Sequence, residues 1–190
     1  MESSHYIERD VSWMYFNHRI LQEAEKESVP LLERLSFLGI YSNNLDEFFR
    51  VRVASLNRIL ESGTLKKKEH NKIKKILRLI NQLNANFSQE YSTATTEVFT
   101  RLEDHKIRLL NETQLNNEQK QWLQHFFYDK LNGSTSPIWL SEIDNISVLE
   151  DNRIYLVVKL DEIDRDKTRY AIVKVPDRVF GRFIIIPSSE

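Results

Sequence analysis

The chain has 190 residues, 27 Lys and Arg against 28 Asp and Glu, a formal net charge of −1 and no cysteine. That length allows one or two domains, and near-neutrality leaves no global field to draw the chain to nucleic acid or anionic lipid. The missing cysteine excludes disulfides, thiolate catalysis and Cys-type zinc sites.

The first ten residues, Met1 to Asp10, lack a basic segment followed by an apolar one, so no signal peptide is read there. No apolar run approaches the ~20 residues of a membrane span. A cytoplasmic protein without a transmembrane segment is the expectation. Asp10 or Ser12 is positioned to cap a first helix, whose buried face should hold Trp13, Phe16, Ile20 and Ala24. Pro30 leads a second helix with Leu31, Leu32, Leu35 and Leu38, ending near Ile40. Ser42, Asn43 and Asn44 then read as a break, because these side chains bond nearby backbone and favour caps and turns. A third helix follows with Leu45, Phe48, Phe49, Arg52, Leu56, Ile59 and Leu60, and Ser62-Gly63 reads as its stop.

From Lys66 to about Leu102 there is neither Gly nor Pro. Ile73, Ile76, Leu77, Ile80, Leu83, Phe87, Tyr91, Ala94, Val98 and Leu102 recur in steps of three and four, one stripe on one helix roughly 50 Å long. Beyond Asp104 the pattern changes. Ile107 to Leu110 reads as a short strand. Asn116 or Asn117 caps a helix carrying Trp122, Leu123, Phe126, Phe127 and Leu131, and Gly133 ends it. Pro137 to Leu140 reads as extended. Arg153–Leu160 and Thr168–Val175 alternate around a polar connection and form a hairpin, and Phe183 to Ile186 is a further strand. The expected fold is a mainly α helical bundle with one very long helix (residues 1–104), followed by a truncated α+β domain containing a β-hairpin (residues 105–190).

Few residues offer chemistry. An Asn side chain has both a donor and an acceptor, which matches the Watson–Crick edge of adenine. On spacing alone Asn43 and Asn44 serve equally as helix caps. Asp46 and Glu47 are helix neighbours about 100° apart and share no site. Asp46 and Arg50 are read as an i,i+4 pair. Arg50 and Arg52 suit bidentate phosphate recognition, although Arg52 falls on the apolar stripe and is read as half-buried against a partner. The cluster Lys66, Lys67, Lys68, Lys72, Lys74, Lys75 and Arg78 reads as a solvated helix start, with a polyanion contact as the functional alternative. His5, His18, His70, His105 and His125 show no metal-site spacing, and there is no glycine-rich phosphate loop. Read without further comparison, such a chain is a non-catalytic helical protein–protein interaction module.

One stretch points further. Arg9-Asp10-Val11-Ser12-Trp13, Phe16-Asn17, Arg19-Ile20-Leu21-Gln22-Glu23-Ala24, Pro30-Leu31-Leu32-Glu33-Arg34 and, above all, Ser42-Asn43-Asn44-Leu45-Asp46-Glu47-Phe48 resemble the N-terminal domain of bacterial polyphosphate kinases. The resemblance is dense from Tyr6 to Ala54 and looser to the chain's end. It implies an N-terminal domain followed by the beginning of a head domain. The family enzyme reversibly transfers the terminal phosphate of ATP to polyphosphate, with Mg²⁺ and a phosphohistidine. The resemblance places the histidine and the Mg²⁺ ligands in later domains, and none of the five histidines here inherits that role. It assigns the ATP base contact to Asn44 and leaves Asn43 a cap or a support behind it. It further implies ATP, ADP and polyphosphate as partners, contact with later domains of the same chain, and homo-oligomerisation through the head domain. No nucleic acid is expected. The address implied is cytoplasmic, with peripheral membrane association known among family members. Residues 1–190 alone are expected to be catalytically inactive.

Overall fold

The structure, a computed structural model, describes residues 6–145, 149–161 and 167–187. His5 and the centre of the expected hairpin connection, 162–166, lie outside the described residues. The chain divides into two compact units, Met1–Leu109 and Leu110–Glu190.

The first unit is helical: α1 (Arg9–Glu25), α2 (Leu31–Glu47), a π-helical turn (Phe48–Val53), α3 (Ala54–Glu61) and α4 (Lys67–Asp104). The cap of α1 is neither Asp10 nor Ser12. It is Glu8, whose carboxylate accepts from the Asp10 and Val11 amides at 2.8 and 3.2 Å. Asp10 instead turns inward and is buried. The inward face of α1 is rotated from the expected one. It holds Val11, Met14, Asn17, Leu21 and Ala24, whereas Phe16 is 60% exposed. Trp13 and Ile20 are partly buried at its edge.

The expected break at Ser42 to Asn44 does not occur. Helix α2 runs through it to Glu47, and the backbone stays helical to Glu61. Ser and Asn in a helix interior cost only a few tenths of a kcal/mol each relative to Ala. Burial of Leu38, Tyr41 and Phe48 on one face outweighs that cost, at roughly 1.5–3 kcal/mol per large apolar side chain. Asp46 and Glu47 therefore sit mid-helix rather than at a helix N-terminus. The irregularity comes later, in the π turn, and the burial pattern explains it. After steps of three or four, the inward residues jump by five from Phe48 to Val53 and then resume at Leu56. One extra residue in the turn keeps the apolar face on the core.

Helix α4 spans 38 residues, and its stripe packs as read, with Ile76, Ile80, Phe87, Ala94, Val98 and Leu102 buried in the common core. Gly63, in the left-handed region at φ 68°, makes the turn between α3 and α4. The basic cluster at the start of α4 faces solvent.

The second unit has α5 (Asn117–Phe126), a π-helical turn (Phe127–Leu131), β1 (Pro137–Trp139), β2 (Tyr155–Asp161), β3 (Thr168–Lys174) and α6 (Asp177–Phe180). Asn116 caps α5 reciprocally: its Oδ1 accepts from the Gln119 amide at 2.8 Å, and Gln119 Oε1 accepts from its own amide at 3.0 Å. The sheet is antiparallel with order β1-β3-β2. Ile172 of the central strand pairs with Ile138 and Val157 and is buried with Ala171. The Arg153 guanidinium is almost wholly buried and binds Asp177 at 3.2 Å and Glu150 at 3.1 Å. Ile107 to Leu110 and Phe183 to Ile186 are not strands. Ile107, Phe183 and Ile185 stand 53%, 73% and 92% exposed, and no neighbouring strand offers either segment a ladder among the described residues.

Candidate functional site

Helix α1 packs beside α2 and the π turn that continues it, and three polar links stitch α1 to them. At one end the carboxylate of Asp10 receives Nε and Nη2 of Arg52 at 2.7 and 2.9 Å, a two-point pair. This hydrogen bond, first of all, raises the Arg52 pKa above its ordinary value. Arg52 is thus half-buried against a partner, and its fork faces a carboxylate of its own chain. In the middle, Asn17 Nδ2 donates to the Tyr41 carbonyl at 3.1 Å, and Asn44 Nδ2 donates to Asn17 Oδ1 at 3.2 Å. At the far end, Arg34 Nε donates to the Ala24 carbonyl at 2.5 Å, and its Nη2 reaches Glu97 on α4 at 3.2 Å. Asp10, Asn17 and Ala24 recur every seven residues, so the links run down one face of α1. Beside the first link, Trp13 stacks on Phe48 with ring centres 4.1 Å apart and planes 2° from parallel.

Asn44 is partly buried in this seam, on a continuous helix, and so is not a cap. One of its N–H groups goes to Asn17. Its Oδ1 accepts from no protein group among the described residues. Asn43, one position away, is exposed and faces a different direction. The group that touches Asn44 is Asn17, which is 1% exposed. Sequence reasoning missed Asn17, although a signal was present: a carboxamide in the inward series Val11, Met14, Leu21 and Ala24 must bond across the interface. Arg50 pairs with Glu47 at i,i+3.

Toward α4, His18 Nε2 lies 2.6 Å from Glu90 and its ring stacks on Phe87 at 3.9 Å. Glu25 has its pKa raised by burial and then by Glu90. The Tyr41 ring stacks on Tyr91 at 5.4 Å. The Tyr41 hydroxyl is buried with no hydrogen-bond partner among the described residues, and burial pushes its pKa up to about 12. An open cleft of about 370 Å³ is lined by Glu27, Arg34, Arg101, Asp104 and His105 among others. Its cations are committed: Arg34 to Ala24 and Glu97, and Arg101 to Glu27 at 2.7 Å and Glu97 at 3.1 Å. Among the described residues no three His, Asp or Glu side chains converge as a metal site. No helix among them is long and apolar enough to cross a membrane.

The fold is a four-helix unit with one very long helix, joined to a small α+β unit, and its conspicuous polar feature is the Asn17–Asn44 link. The family model "Polyphosphate kinase N-terminal domain" matches residues 6–110, and "Polyphosphate kinase middle domain" matches 118–190. The chain belongs to the polyphosphate kinase family. It is 39% identical over 187 residues to the polyphosphate kinase of Escherichia coli K12, covering 96% of this chain and 26% of that one. It is 36% identical over 189 residues to that of Vibrio parahaemolyticus, covering 97% and 26%. The crystal structure of the polyphosphate kinase from Porphyromonas gingivalis superposes with a TM-score of 0.78 at 29% identity, over 97% of this chain and 27% of that one. The chain thus spans about a quarter of the length of the curated relatives it matches.

Proposed function

We propose that this chain is the base-reading part of an enzyme that reversibly transfers the terminal phosphate of ATP to polyphosphate. In this reading Asn44 contacts the adenine, and the phosphohistidine and the Mg²⁺ ligands lie in later domains. The supporting observation is Asn44 itself: partly buried, tied by one N–H to Asn17, and with its Oδ1 accepting from no described protein group. Adenine offers the complementary pair, an amino donor beside a ring nitrogen acceptor. Phosphoryl transfer depends on positioning and charge neutralisation, and holding the base contributes the positioning. In this reading the metal is held by residues outside this segment, and no step here runs through it. None of the histidines is assigned the phosphoryl group, and His18 is committed to Glu90 and Phe87.

The second unit contributes to homo-oligomerisation in the same reading. Its edge strand β2 leaves Leu156, Val157 and Leu160 at 56%, 68% and 43% exposed, more apolar surface than a free strand edge tolerates. The test of the base contact is the KM for ATP of Asn44→Ala in a full-length polyphosphate kinase containing these residues. A raised KM supports the reading, and an unchanged one removes it.

A further inference from the structure

We infer that Asn17 is a positioning residue that dictates which way round Asn44 presents its amide, so that the site selects adenine over guanine. The inference rests on the base contact proposed above for Asn44. A carboxamide with free rotation is indifferent, because a 180° flip exchanges its donor and acceptor. Asn17 has no such freedom. It is 1% exposed, and one end of its amide lies 3.1 Å from the carbonyl oxygen of Tyr41. A backbone carbonyl only accepts, so that end is Nδ2 and the opposite end, facing Asn44 at 3.2 Å, is the oxygen. An oxygen there demands a donor, so Asn44 turns its Nδ2 inward. The backbone of α2 thus sets the polarity of Asn44 through one intervening side chain.

What Asn44 then has left is Oδ1 and one N–H. Adenine presents an amino group and a ring acceptor, and it fits this pair without rearrangement. Guanine in the same pose presents O6 against Oδ1, and only a flip of Asn44 relieves that clash of acceptors. The flip would set Oδ1 of Asn44 against Oδ1 of Asn17, which Tyr41 holds in place. Guanine therefore loses the base contact or the Asn17–Asn44 bond. Either loss lowers its use relative to adenine by roughly three- to tenfold.

The test compares kcat/KM for ATP with that for GTP in a full-length polyphosphate kinase containing these residues, in four variants. Asn44→Ala is measured first. Asn17→Leu and Asn17→Ser remove the oxygen that faces Asn44, whereas Asn17→Asp, held as the neutral acid by burial, donates its hydroxyl to the Tyr41 carbonyl and keeps an oxygen toward Asn44. Both substrates are measured on one preparation, so a reduced folded fraction cancels in the ratio. The expected result is a raised KM for ATP in Asn44→Ala, an ATP/GTP ratio lowered roughly three- to tenfold in Asn17→Leu and Asn17→Ser, and a ratio near wild type in Asn17→Asp. A raised KM in Asn44→Ala with an unchanged ratio in the Leu and Ser variants overturns the role of Asn17 and leaves the base contact standing. So does a ratio lowered equally in all three Asn17 variants, because a merely structural Asn17 would give that. An unchanged KM in Asn44→Ala overturns both readings.

Discussion

Asn17 and Asn44, 27 positions apart, meet through their side-chain amides at 3.2 Å across the seam between two helices. Because Asn17 is itself anchored on the Tyr41 carbonyl, truncating Asn44 leaves the buried Asn17 Oδ1 without its donor. That loss costs about 1–3 kcal/mol, of which alanine returns roughly 0.6 kcal/mol in helix propensity. Asn44→Ala should therefore lower stability by about 0.5–2.5 kcal/mol. Urea denaturation of wild type and variant reads the difference directly. In a full-length enzyme the same substitution should raise the KM for ATP about tenfold or more.

Tyr41 carries a buried hydroxyl that bonds to nothing in the described protein. Tyr41→Phe removes that group without emptying the ring's place beside Tyr91, and should stabilise the fold by about 1 kcal/mol. The gain should grow in alkali. The folded-state pKa is pushed up to about 12 by burial, from an ordinary value near 10.0. Above pH 10 the unfolded chain ionises this tyrosine while the folded one resists, so wild type loses stability that the Phe variant keeps. Denaturation midpoints of the two proteins from pH 8 to 11 should diverge, and parallel curves would contradict the assignment.

Glu25 answers to the opposite end of the pH scale. Burial and then Glu90 hold its pKa above the usual carboxylate value. Glu25 itself lies at the surface, so solvent screens much of the effect. The folded state disfavours the charged form weakly, and wild type carries a small penalty at neutral pH that disappears once the group is protonated in both states. Glu25→Gln should raise the Tm at pH 7, and the difference should vanish below about pH 4. A difference that persists in acid would mean the effect is not electrostatic.

Asp10 and Arg52 form the two-point pair at the end of the seam. Asp10 is buried while Arg52 retains 38% side-chain exposure, so solvent screens part of the interaction. A double-mutant cycle with Asp10→Asn and Arg52→Gln should give a coupling of about 1 kcal/mol. Arg52→Gln should cost more than Asp10→Asn, because it strands the buried Asp10 carboxylate, whereas Arg52 without its partner can turn to solvent. Additive effects across the cycle would show that the pair does not hold the helices together.

Much of this architecture was readable from residue order. The long helix α4 announced itself because its stripe keeps one period across 38 residues without Gly or Pro. The α+β character of the second half followed from the alternation in β2 and β3, and the start of α5 from Asn116 or Asn117, of which Asn116 is the cap. The continuity of α2 through Asn43 and Asn44 was not readable, because their local preference for turns is weak and the tertiary burial of Leu38, Tyr41 and Phe48 overrides it. The π turn was hidden for a related reason: a five-residue step has no template in a search for steps of three and four. Ile107 to Leu110 and Phe183 to Ile186 have strand composition, but composition cannot supply a neighbouring strand. Of the site, Asn44 was reached only through the resemblance. Asn17 was passed over because a lone polar residue in an apolar series does not say which partner it will find across the interface.

The seven-residue rhythm of Asp10, Asn17 and Ala24 makes the contact of α1 with α2 and its π turn behave like a key with three cuts. A slide of one helical turn, about 5.4 Å, would misalign every cut at once. Apolar packing alone would tolerate such a slide far more readily, since one Leu or Ile fills the place of another. The pair is therefore locked in a single register rather than held in a graded one. An insertion or deletion anywhere in the short 26–30 connection need not disturb that register, whereas a single residue added within either helix between the cuts would jam the lock.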